Sequence, residues 1–164
     1  MAKILEKDME ATIEADLIHA GYFKRIPSCY DKSLCLDLEL VFNFIIATQK
    51  DKWEAYQKQL GDRAEDALLA KIKDEIEKRG TLELIRKPFA SYGVYFDFAY
   101  FKPASGLNES YRVKYQSNIF SVMRQVKYSQ HNENSLDVVL FLNGIPLATM
   151  ELKEIGRASC RERV

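Results

Sequence analysis

Cysteine is scarce: Cys29, Cys35 and Cys160 are the three present in 164 residues. At those spacings they build neither a zinc site nor a disulfide framework, so we expect free thiols in a reducing compartment. No apolar run approaches the roughly 20 residues that a membrane-spanning helix needs. No secretory signal is read at the start of the chain. Together these lead us to expect a cytoplasmic protein without a membrane partner. Charge of one sign is also missing, because 24 Lys and Arg balance 24 Asp and Glu. Without an overall basic footprint, any contact with nucleic acid has to come from a local patch or from partner subunits. There is no GxxxxGK[ST] phosphate loop. Internal repeats and low-complexity linkers are absent as well.

What is present suits one globular domain. The chain is 47% hydrophobic and 12% aromatic, enough to bury a real core. Before Gly80 the apolar residues follow a helical period. Leu5, Met9, Ile13 and Leu17 form one stripe, with Gly21 as its stop and Glu10 and Glu14 one turn apart on a neighbouring face. Those two acids fit a solvated face as well as a site. Tyr22 to Ser33 reads as loop. Leu38, Val41, Phe42, Ile45 and Ile46 predict a second helix, which Asp37 can cap. Trp53, Tyr56 and Leu60 predict a third. Asp62 and Glu65 resemble a capping box before Leu68, Leu69, Ile72 and Ile76, in a helix ending at Gly80.

After Gly80 the pattern turns to strands. Leu82 to Ile85 is a short one. Val94 to Phe101 alternates, with aromatics on both faces, so we expect a sheet covered on both sides. Pro103 to Asn108 is a loop. Phe120, Val122, Arg124, Val126 and Tyr128 alternate again. Arg124 and Lys127 fit phosphate contacts and a solvated strand edge equally.

The most informative stretch is Asn134 to Lys153, NSLDVVLFLNGIPLATMELK. Asp137 opens an apolar run to Leu142, Asn143-Gly144 marks a turn, and Ile145 to Met150 leads into Glu151-Leu152-Lys153. Two carboxylates can hold a hard divalent cation through oxygen. Such a cation suits phosphodiester hydrolysis, because it polarises the phosphate and activates water. In a strand, Glu151 and Lys153 share a face, so the lysine can orient water or offset charge on the phosphate. A strict two-residue turn pairs Asp137 with Met150 and sends Asp137 and Glu151 to opposite faces. A shared site therefore requires a one-residue slip, through a bulge or a longer turn, and we expect it.

The segment resembles the PD-(D/E)xK nuclease motif. More narrowly, it resembles the N-terminal nuclease domain of the restriction (R) subunit of type I restriction endonucleases. In that family an Asp-led strand runs through an NG-P turn into ELK. Asp137, Asn143, Gly144, Pro146, Glu151, Leu152 and Lys153 fit one by one. Leu136 stands where the motif has proline, which this family commonly lacks. The likeness reaches back through RQVKYS (124–129), FKPASGLN (101–108) and the first helix.

The resemblance implies a mixed α/β fold with a restriction-endonuclease-like core, a mixed central sheet flanked by helices. It implies Asp137, Glu151 and Lys153 as catalytic residues. It implies magnesium held by Asp137, Glu151 and a first-helix glutamate, for which Glu10 is the best match. In the full protein it implies ATP-dependent cleavage of double-stranded DNA, with ATP bound in motor domains outside these residues. The modification (M) and specificity (S) subunits are the implied partners. Two other readings stay open: a catalytically silent module that docks DNA or those subunits, and a stand-alone repair nuclease of the same fold.

Residues 154–164 show no periodicity, and 155–164 match the translation of a sequencing-adapter string. We therefore expect the nuclease domain to occupy residues 1–153 and to be truncated after the acid-x-Lys strand, with 154–164 foreign to it. A chain cut there leaves an apolar hairpin partly uncovered. Residues 1–153 should then unfold at lower temperature, and nick DNA more weakly under magnesium, than a chain extended by its native downstream sequence. Equal behaviour in both assays overturns the truncation.

Overall fold

A computed structural model describes residues 6–103, 108–128 and 134–153. Leu5, Ser129, Cys160, most of the 103–108 loop and the 154–164 tail lie outside them. The described chain starts with helix α1 (Glu6–His19), strand β1 (Phe23–Arg25), a 3-10 turn at Pro27–Cys29, and the short strands β2 (Tyr30–Asp31) and β3 (Leu36–Asp37). Helices α2 (Leu38–Thr48), α3 (Lys50–Leu60) and α4 (Ala64–Arg86) follow. Then come β4 (Phe89–Ser91), β5 (Val94–Phe96), α5 (Glu109–Gln116), β6 (Phe120–Lys127), β7 (Ser135–Leu142) and β8 (Ile145–Met150). Among the described residues no helix is long and apolar enough to cross a membrane.

The central sheet has the order β1-β6-β7-β8. β1 runs parallel to β6, while β6–β7 and β7–β8 are antiparallel, so the sheet is mixed as expected. The main core lies where α2, α3 and α4 meet the β4–β5 hairpin and the Leu142–Ile145 end of the sheet. Phe44, Tyr56, Leu68, Ile72, Phe96 and Phe98 are fully or almost fully buried there. Each such side chain contributes about 1.5–3 kcal/mol. A smaller cluster of Met123, Val126, Val139 and Phe141 covers the sheet further along, under Tyr30 and Cys29.

Several elements differ from expectation. Residues 22–33 are not all loop: β1 pairs Phe23 to Arg25 with Ser121 to Met123. Asp62 makes no cap; a 3-10 turn at Gly61–Arg63 leads directly into α4. Gly80, at φ 79°, kinks α4 instead of ending it, so residues 82–85 are helical and bury Leu84 and Ile85. Strand β5 stops at Phe96, and Tyr95 and Phe101 are about 60% exposed, so that segment is not covered on both sides. Asp37 does cap α2, accepting from the Leu40 N–H.

The tip of the β7–β8 hairpin is fixed by its own turn. Asn143 and Gly144 both have positive φ, as a type I′ turn requires. Asn143 is fully buried. Its amide nitrogen donates to the Phe98 carbonyl at 2.8 Å and to Asn118 Oδ1 at 3.0 Å, and its oxygen accepts from the Ile119 N–H at 2.6 Å. The Gly144 carbonyl accepts from the Asp37 N–H at 2.9 Å. A Cβ on Gly144 would sit 2.3 Å from the Asp37 carbonyl oxygen. Gly144→Ala should therefore cost about 3 kcal/mol, from backbone strain and overpacking together. A urea midpoint unchanged from native would show that the tip yields.

Candidate metal and phosphate site

Strands β7 and β8 pair Leu142 with Ile145 and Phe141 with Pro146, then shift so that Leu140 meets Ala148 and Val138 meets Met150. Leu147 is the extra residue. Pro146, which has no N–H to give the ladder, sits beside this bulge on the sheet's outer strand, where proline is tolerated. The expected one-residue slip is therefore present. Carried one step further, the register sets Asp137 opposite Glu151.

Glu151 to Lys153 lie beyond the last strand residue, Met150. The reason is local. The Leu152 N–H donates to Asp137 Oδ2 at 2.6 Å, so a side chain takes the place of a ladder carbonyl. The argument that Glu151 and Lys153 share a strand face thus loses its strand. Asp137 and Glu151 instead line one open cleft of about 350 Å³, with Tyr128, Asn134, Ser135 and Leu152. Both Glu151 and Lys153 are exposed. Among the described residues no hydrogen bond or ion pair engages either side chain.

Helix α1 reaches this corner with its acids. Glu10 and Glu14 are buried, while Met9, Ile13 and Leu17 are only half-buried. The inward face of α1 is therefore the polar one, not a solvated face. Arg124 on β6 donates to Glu10 Oε2 through Nε at 3.1 Å and Nη2 at 3.0 Å, and reaches Glu14 Oε2 at 3.5 Å. Lys24 on β1 donates to the same Glu14 oxygen at 2.8 Å. Arg124 is thus committed to docking α1. Lys127 has its own interactions.

Gln125 joins the two halves. Its Nε2 donates to Glu10 Oε1 at 2.8 Å and to Asp137 Oδ1 at 3.3 Å. The Ser135 hydroxyl donates to Gln125 Oε1 at 3.1 Å. Gln125 has φ 52° in the middle of β6, with unbroken register on both sides. A non-glycine residue pays about 1–2 kcal/mol for that left-handed conformation. The twist breaks the strand's alternation, so Met123 and Val126, three apart, enter one cluster. That spacing was the one sequence signal for Gln125, which the reading of 120–128 as regular alternation missed.

Asp137, Glu151 and Glu10 supply hard oxygen donors, the chemistry magnesium takes. Among the described residues no three His, Cys, Asp or Glu side chains gather closely enough to hold an ion by themselves. Two carboxylates in an open cleft still fit magnesium, which keeps several waters and shares its sites with substrate phosphates. Glu10 stands behind Gln125, with both oxygens engaged.

Breaking the Arg124 contacts leaves a buried glutamate uncompensated. Arg124→Met should lower stability by about 3 kcal/mol, and the double variant Arg124→Met with Glu10→Met should recover most of that loss. Thermal unfolding of the two single variants and the double one measures the coupling. Strictly additive losses would mean that the pair does not hold α1.

The model of one protein family, described as Type I restriction enzyme R protein N terminus, matches residues 40–162. The match includes Asp137, Glu151 and Lys153 and leaves out α1 with Glu10. No curated protein and no solved structure matches.

Proposed function

The chain belongs to the family of type I restriction enzyme R protein N-terminal domains, and on that premise we propose that the Asp137–Lys153 corner is the cutting centre of a PD-(D/E)xK-type DNA nuclease. The observation that carries this is the bulge after Leu140, which turns Asp137 and Glu151 toward one cleft against the nominal register of their turn. A hairpin selected only for packing has no use for two acids set opposite each other at its open end. Like charges placed across a strand pair are destabilising unless something sits between them.

Asp137 and Glu151 would hold magnesium. When bound, that ion supplies Lewis-acid polarisation of the phosphate and activation of water. The rest falls to the chain. The Leu152 N–H fixes one oxygen of Asp137, which leaves the other turned toward Gln125 and Glu10. Lys153, exposed and without a carboxylate partner among the described residues, is the cation available to offset charge on the scissile phosphate. Cleavage would depend on ATP in the full subunit, assembled with modification and specificity subunits on double-stranded DNA. The silent-module reading draws on one observation, the engagement of both Glu10 oxygens by Arg124 and Gln125.

In a full-length subunit assembled with its partners, Asp137→Ala, Glu151→Ala or Lys153→Ala should each reduce magnesium-dependent cleavage by about 100-fold or more. ATP hydrolysis should persist, because the motor is a separate part of the chain. Undiminished cutting by all three variants refutes the assignment. A native complex that hydrolyses ATP and binds DNA without cutting favours the silent module.

A further inference from the structure

Each of two carboxylates has one oxygen locked and one presented. Glu10 Oε2 is held by Arg124, and Asp137 Oδ2 by the Leu152 N–H. The other two oxygens, Glu10 Oε1 and Asp137 Oδ1, converge on a single atom, Gln125 Nε2, at 2.8 and 3.3 Å. An amide NH2 therefore stands at the point where two carboxylate oxygens meet. Its two hydrogens supply the positive charge density that such a meeting requires. The far side of the amide faces a hydroxyl, Ser135 Oγ, at 3.1 Å. A serine hydroxyl donates or accepts, so it can partner either end of a carboxamide.

We infer that Gln125 is a reversible member of the cation site: its nitrogen holds Glu10 and Asp137 together in the absence of an ion, and its carbonyl oxygen becomes a ligand when an ion is held. The inference rests on the reading of this corner as a cation site and adds a residue to it. With no cation present, an amide oxygen aimed at two carboxylates is repelled, so the nitrogen faces them. With a cation present, a nitrogen-bound hydrogen is repelled and an oxygen is wanted, since hard divalent ions take oxygen. Half a turn of the carboxamide satisfies both states, and Ser135 then accepts where it formerly donated. The strained backbone at Gln125 has a use in this scheme, because φ 52° aims a mid-strand side chain across the gap between α1 and β7. It also explains why α1 places acids on its buried face: Glu10 enters the site when the amide turns away.

Manganese(II) alone serves as the probe, titrated into the chain and followed by the loss of its free-ion electron paramagnetic resonance signal. Native protein should bind it and Asp137→Ala should not. Gln125→Gly should bind about tenfold more weakly or worse, the usual effect of removing a supporting group at a metal site. Its thermal midpoint should hold, because glycine accepts φ 52° without strain. Gln125→Glu, which offers oxygen at both ends, should bind at least as tightly as native. If Gln125→Gly matches native while Asp137→Ala fails to bind, Gln125 lies outside the site and the cation reading survives. If Gln125→Glu is as weak as Gln125→Gly, the residue is a donor only and its role as ligand is overturned. If Asp137→Ala and Glu151→Ala bind like native, or native does not bind at millimolar manganese, the cation reading falls and takes this inference with it.

Discussion

The arrangement at Asp137 depends on how the opposite end of its hairpin is pinned. Asp37 makes that anchor. Its N–H donates to the Gly144 carbonyl, its side chain caps α2, and its carboxylate takes a two-pronged contact from Arg25 at 2.7 and 3.0 Å. That partnership holds the Arg25 guanidinium above its ordinary pKa, chiefly through the bond to Asp37, with burial opposing. One buried acid thus ties β1, α2 and the hairpin tip together. Asn143 adds the start of β6 and the segment after β5, through Ile119 and Phe98. With the tip immobile, the register toward the open end is decided by the bulge alone.

That division explains what a sequence can reveal here. The helical stripes of α2 and α3 were legible because each buries an apolar face. The turn at Asn143-Gly144 was legible because only certain residues tolerate positive φ. The slip was legible as a requirement of chemistry, since two acids cannot share an ion across opposite faces. β1 was not legible. It has three residues, one of them a charged pair-former, and its parallel partner lies about a hundred positions away. Nor was α5, whose eight residues bury nothing and so carry no stripe. Gly80 was misread because a helix stop and a kink call for the same residue; what followed the kink was apolar enough to resume the helix.

The buried face of α1 was hidden for a different reason. Glu10 and Glu14 lie four apart, a spacing that normally marks a wet face. Their burial is possible only because Arg124 and Lys24 approach from strands far along the chain. No local pattern encodes a pairing of that kind. Such contacts are also weak grounds for stability, since desolvation offsets much of the attraction. α1 is therefore positioned by charge rather than held by apolar packing, and its placement responds to whatever charge enters the corner beside it.

That responsiveness separates this corner from a rigid metal cage. Around Glu10, Glu14, Asp137 and Glu151 the described cations are Arg124, Lys24 and Lys153, and the first two are spent on α1. The acidic surplus falls on the Asp137–Glu151 cleft, where Gln125 offers dipole instead of charge. A dipole steadies two carboxylates without neutralising them. Had the chain placed lysine at position 125, the corner would be neutral, firmer and closed to a cation. Glutamine keeps the carboxylates together and leaves their charge unanswered, which is the condition a site must meet if its ion arrives together with the phosphate.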